Sequence, residues 1–109
     1  MISLVENGPK FAPGQLVRHV RYGYRAVVVA VDPYCHADEA WYQSNQTQPQ
    51  RDQPWYHLLV HDTDATTYAA QGNLVLETCD DPIVHPLLVM FFDGFSNGHY
   101  ERNDRAWGM

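Results

Sequence analysis

The sequence predicts a small, mostly β domain: short strands arranged as a small barrel, with one or two short helices. Three observations carry that prediction. Residues 25–32, RAVVVAVD, form a run dense in β-branched side chains, the composition that suits a pleated surface. Further short apolar segments recur at 16–21, 55–61, 66–70 and 74–76. Turn chemistry punctuates them at short intervals, with Pro13-Gly14, Gly23, Asp62-Thr63-Asp64 and Gly72-Asn73 between the strands. Many short strands separated by tight turns belong to barrels and sandwiches rather than to helical folds.

Taken in order, residues 1–10 read as a flexible leader and 11–15 as a turn. A first strand follows at 16–21, then a tight turn at Tyr22-Gly23-Tyr24. In the strand 25–32, alternation puts Val27, Val29 and Val31 on one face and Ala26, Val28 and Ala30 on the other. The valine face is assigned to the core. The second face is also apolar, so the following loop or another subunit is expected to cover it. Residues 33–54 make a polar, Gln-rich connection, longer than most in a compact domain. Within it, 36–42 can form two helical turns that fold Trp41 and Tyr42 back onto the body, while 43–53 has nothing apolar to bury and is expected to be flexible. In the strand 55–61, Tyr56, Leu58 and Val60 share the core face; Trp55, His57, Leu59 and His61 point outward or under the long loop. Strands at 66–70 and 74–76 follow. His85-Pro86 opens LLVMFFDGF, read as a short apolar helix, with a strand as the alternative; residues 98–102 read as a last edge strand and 103–109 as a flexible tail.

With 109 residues, 45% of them apolar, the chain can bury one real core without disulfides. No apolar run approaches the roughly 20 residues of a membrane-spanning helix. The two cysteines, Cys35 and Cys79, read as reduced thiols of a cytoplasmic protein. A net charge of −6 argues against a general, salt-driven nucleic-acid binder. Its distribution is uneven, however. Of seven cationic residues, Lys10, Arg18, Arg21 and Arg25 all lie in the first 25 positions, which predicts a basic end on an acidic body.

No set of residues reads as a catalytic centre. Cys35 and Cys79 lack an activating motif, and Ser3, Ser44 and Ser96 lie in polar stretches. Asp80-Asp81 precedes Pro82, where turn chemistry accounts for it. The six histidines do not suggest a metal site: Cys35-His36 is adjacent rather than spaced, and His57 and His61 would lie about 13 Å apart along a strand. His19 and His85 are expected to hydrogen-bond within turns. No metal or other cofactor is expected. Two surfaces remain as candidates. Arg18, Arg21 and Arg25, with Tyr24, could contact nucleic acid; Trp41, Trp55 and His57 could contact a protein partner, since Trp is enriched in binding hot spots.

Several strings, in order and spacing, carry a family resemblance: Phe11, Gly14-Gln15, Val17-Arg18-His19, Gly23-Tyr24-Arg25, Val27-Val28, Val31-Asp32-Pro33, Gln53-Pro54-Trp55-Tyr56-His57, Thr67-Tyr68, Asn73-Leu74 and His85-Pro86. Together they resemble the YccV-like family, also called heat-shock protein HspQ or the hemimethylated-DNA-binding domain, over residues 11–102. The resemblance implies an SH3-like β-barrel without enzymatic activity. It implies two kinds of partner: hemimethylated duplex DNA, and the Lon protease, which bacterial relatives modulate as enhancers or meet as substrates. It also implies use as a module in F-box proteins and plastid Clp-protease adaptors, and homo-oligomers, trimers among them. The leading expectation is a non-enzymatic adaptor for a protein partner such as Lon. The alternative is a DNA-binding protein using residues 18–25. The first ten residues and the tail DRAWGM depart from the heat-shock members.

Overall fold

The structure, a computed structural model, describes residues 8–45 and 48–103. Its centre is strand β2 (Arg25–Asp32), the valine-rich run. β2 pairs antiparallel with β1 (Leu16–His19) on one side and β3 (Trp55–Val60) on the other. β4 (Thr66–Ala70) continues beyond β3, and β5 (Leu74–Leu76) lies beyond β1, giving the order β4-β3-β2-β1-β5. Two short helices, α1 (Glu39–Ser44) and α2 (Leu88–Phe91), flank this sheet. A separate hairpin joins β6 (Phe92–Ser96) to β7 (His99–Arg102).

No described strand pair joins the two edges, so the pairing leaves the five-stranded sheet open. The sheet is nonetheless strongly curled. Laid flat, β4 and β5 would lie about 19 Å apart at four strand spacings. The chain from Ala70 to Leu74, through a single 3-10 turn at Gln71–Asn73, reaches at most about 14 Å. One core cluster therefore draws on all five strands: Val17, Ala26, Val28, Tyr56, Leu58, Ala69 and Leu74, capped by Phe11.

Both faces of β2 are core, which corrects the one-sided assignment. Val27 and Val29 join Leu16 and Leu59 in a second cluster on the outer face. The Ala26 and Val28 face, expected to lie under the following loop or another subunit, instead packs in the inner core with residues of the other four strands, and the valine face is the one that later segments cover. Ile83, Phe92 and Tyr100 from the C-terminal part provide that cover. The expected alternation also fails at one point. The register with β3 shifts between Val28 and Ala30, a β-bulge that turns Val31 inward to the first cluster. Gly14 buttresses the bulge: its N–H donates to the Val28 carbonyl at 2.8 Å, and its own carbonyl accepts from Tyr100 at 2.8 Å.

The segment read as a helix divides. Only residues 88–91 are helical, and 92–96 form a strand. Asn97 and Gly98, both at positive φ, make the two-residue turn to β7. Residues 8–10, placed in the expected leader, are tied to the body: the Lys10 N–H reaches Gln71 Oε1 at 2.8 Å and the Tyr56 hydroxyl at 3.1 Å. Residues 1–7 and 104–109 lie outside the described residues. In the polar connection, 46–47 also lie outside them, but 48–53 is anchored rather than loose. The Arg51 guanidinium donates to the Ala37 carbonyl and stacks over Tyr42 at 4.8 Å, and the Arg51 carbonyl accepts from the Cys35 N–H at 2.9 Å.

Candidate functional site

The basic end is built by the β1–β2 hairpin and is largely neutralised from within. Arg18 and Arg25 leave adjacent strands as a register pair. Both guanidiniums converge on Glu77, at 2.9 and 2.6 Å, and the Glu77 side chain is only 2% exposed. Burial alone would raise the Glu77 carboxyl; the two arginines outweigh it and hold the group below the usual carboxylate range. Arg25 donates further to the Cys79 and Asp81 carbonyls. Arg21 is exposed in the turn, its guanidinium 5.8 Å from the Tyr22 ring, and Lys10 is exposed as well. Tyr24 leans on the inner core beside His19, and burial raises its hydroxyl above the usual range. His19 and His85 behave as turn histidines. His19 Nδ1 accepts from the backbone of Arg21 and Tyr22, and His85 Nδ1 accepts from that of Leu87. Burial, then the charge of Arg21, lowers the affinity of His19 for a proton.

The second surface is a groove of about 660 Å³ on the outer face of β2, β3 and β4. Its floor includes Val29, Ala30, His57, Leu59, Thr66 and Tyr68. Trp41 and Asn45, from α1 and its end, line one side, and Leu87 and Phe91, from α2 and its approach, line the other. α1 stands over β3 because Asp38 caps its N-terminus, accepting from Trp41 at 2.8 Å, and because Trp41 and Tyr42 pack on Trp55. The sequence-selected Trp41, Trp55 and His57 are thus brought to one region. Trp55 is 2% exposed and serves as the platform, with its ring 6.2 Å from Trp41 and 5.3 Å from Tyr68. His57 is exposed, its ring 4.5 Å from that of Tyr68.

Three residues of this region are not among the site residues that the sequence suggests: Asp32, His36 and Tyr68. Asp32 ends β2 and faces the groove region because the bulge resets the alternation. Its Oδ2 accepts the Tyr68 hydroxyl at 2.6 Å and meets His57 Nε2 at 3.0 Å and His36 Nδ1 at 3.5 Å. Burial opposes the charge on Asp32, but the Tyr68 and His57 contacts prevail and lower its titration below the usual range. Tyr68 moves the other way: burial first, then the carboxylate, push its hydroxyl far up, so it remains a donor. The available signals were the register pairing of His57 with Tyr68 across two predicted strands, and an Asp closing an apolar strand.

β4 adds a backbone feature. Gln71 donates to the Pro54 carbonyl and Val60 to the Ala65 carbonyl, so Thr67 and Ala69 face β3. The backbone groups of Thr66 and Tyr68 then point to the sheet's outer edge. Among the described residues no group of three His, Cys, Asp or Glu is placed to hold a metal ion, and no helix is long and apolar enough to cross a membrane. Cys35 and Cys79 are free thiols.

A family model described as "Hemimethylated DNA-binding protein YccV like" matches residues 9–99. The chain belongs to the YccV-like family. The YccV-like domain is also 32% identical over 96 residues to F-box only protein 21 of Homo sapiens, and equally so to that of Mus musculus. Those matches cover 85% of this chain and 15% of each relative, so the chain spans a small part of the curated proteins it resembles.

Proposed function

We propose that this YccV-like domain is a non-enzymatic, HspQ-like adaptor. It holds an extended segment of a protein partner in the outer groove, along the outer edge of β4. The observation that carries this reading is the groove itself: apolar walls, an aromatic at its rim in Trp41, and edge-facing backbone groups at Thr66 and Tyr68. Strand addition to a sheet edge supplies affinity through the main chain and specificity through neighbouring pockets. The proposed contact residues are Trp41 and His57, with Trp55 beneath them. A Lon-type ATP-dependent protease is the proposed partner, in the cytoplasm. The curved five-stranded sheet supports reading the fold as an SH3-like barrel, since one inner core serves all five strands. To test the reading, a Lon-type protease is titrated against the immobilised domain. Trp41→Ala and His57→Ala should each weaken capture by about tenfold or more, as loss of a hot-spot contact does. Wild-type capture by both variants would contradict the reading.

The family's name favours a second reading, binding of hemimethylated DNA through Arg18, Arg21, Tyr24 and Arg25. With Arg18 and Arg25 committed to Glu77, Arg21 and Lys10 are the main candidates for phosphate contacts. Two contacts give a log–log salt slope of about −1.8. A titration of hemimethylated duplex at two salt concentrations checks this, and Arg21→Ala should remove about half the slope. An unchanged slope would set the basic end aside.

A further inference from the structure

We propose that the recess bounded by Asp32, His36, Trp41, His57 and Tyr68 is a binding pocket for an organic cation, the ammonium end of a lysine-type side chain carried by a partner. The recess holds about 280 Å³ and opens beside the groove, sharing Trp41, His57 and Tyr68 with it. It deepens the groove reading but does not depend on it, because a small ammonium compound can fill the recess on its own.

Three observations converge. First, the Trp41 and Tyr68 rings stand 5.7 Å apart with planes inclined by 60°, so the recess has non-parallel aromatic walls. Such walls attract a cation through the ring quadrupoles, best of all a quaternary ammonium. Second, Asp32 supplies a carboxylate at the rim of those walls, its side chain 19% exposed. Its contacts are with a phenol and two imidazoles, all on Oδ2, and no described Lys or Arg pairs with it. Third, the cation nearest in sequence to α1, Arg51, is spent elsewhere: it bonds to Ala37 and Glu39 and stacks over Tyr42. The carboxylate, held by Tyr68 and the two imidazoles, places negative charge beside the aromatic walls, where a ligand cation can meet both. The aromatic walls favour an organic cation, whose diffuse charge suits ring faces.

The test uses three probes on the full chain, with chelator present: Nα-acetyl-lysine amide with its ε-ammonium free, its ε-trimethyl derivative, and the neutral tert-butyl isostere of the latter. Binding is followed by the nuclear magnetic resonance signals of the Trp41 indole. The trimethylammonium probe should bind at least about tenfold more tightly than its neutral isostere, the difference that an exposed-to-desolvated cation–ring contact with a nearby carboxylate supplies. Asp32→Asn should abolish that preference. Trp41→Leu, which leaves the Asp32 contacts in place, should weaken the ammonium probe by about tenfold, and decides the matter if Asp32→Asn melts early. Equal binding of charged and neutral probes, or no Trp41 response to any probe in the millimolar range, would overturn the proposal. Capture of a Lon-type protease, scored separately, reports on the groove alone.

Discussion

Glu77 shows how a single residue reshapes a surface. It lies 59 residues from Arg18 and 52 from Arg25, so no local pattern connects them. The arginine cluster was legible in the sequence; its neutralisation was not, because only the pairing of β1 with β5 brings Glu77 to it. Removing a buried member of an ion pair leaves uncompensated charge; with Arg18 43% exposed and screened by water, the cost here is about 2 kcal/mol. Glu77→Gln should therefore lower unfolding stability by about that amount at pH 7, as read by denaturant titration. The pH dependence follows from the depressed carboxyl. Its contribution is fully present above the unfolded value of 4.5 and is lost as pH falls through the lower folded value. The gap between wild type and Glu77→Gln should narrow on going from pH 7 to pH 3, and a constant gap would show that the ion pair is not its source. Glu77→Gln should also release positive charge at the hairpin. If the basic end is a DNA site, the variant binds duplex more tightly than wild type.

At the scale of elements, β2 announced itself through its valines, but its bulge could not. Every residue from 26 to 31 is apolar, so a one-residue slip leaves no mark on the alternation. The β6–β7 hairpin did carry a signal, Asn97-Gly98 between an apolar-rich run and the short HYER segment, but the length of LLVMFFDGF points toward a helix. Gly14 joins the bulge to this hairpin at φ +97°, and a Cβ there would meet the Tyr100 carbonyl oxygen at 2.1 Å. Gly14→Ala should destabilise the domain by at least about 2 kcal/mol, from backbone strain and from the forced displacement of β7. A melting temperature equal to wild type would contradict that placement. The polar connection was read as flexible because composition shows what a segment can bury, not what it can bond. With its guanidinium and carbonyl both engaged, Arg51 should resist trypsin longer than Arg21 in its exposed turn. Limited proteolysis that cuts first at Arg51 would show those bonds to be transient.

For the whole molecule, the family and the mostly β architecture were legible in spaced strings and turn residues. The groove was not, because it arises where three separate stretches meet: α1, the β2–β4 face and the approach to α2. Self-association is proposed on narrower ground than the sequence suggested. Both faces of β2 are covered within the chain, whereas Val89 and Met90 remain 73% and 56% exposed on α2. Sedimentation at micromolar concentration should show a species heavier than 12.5 kDa that Val89→Glu converts to monomer. A monomer at every concentration would remove that proposal. Partners are proposed to meet the outer groove rather than the basic hairpin. Amide hydrogen exchange of the domain, with and without a saturating Lon-type protease, tests it most directly. The groove account predicts slowed exchange at Thr66 and Tyr68 and around Trp41, with residues 18–25 unchanged. Slowing confined to residues 18–25, with Thr66 and Tyr68 exchanging as in the free domain, would contradict it.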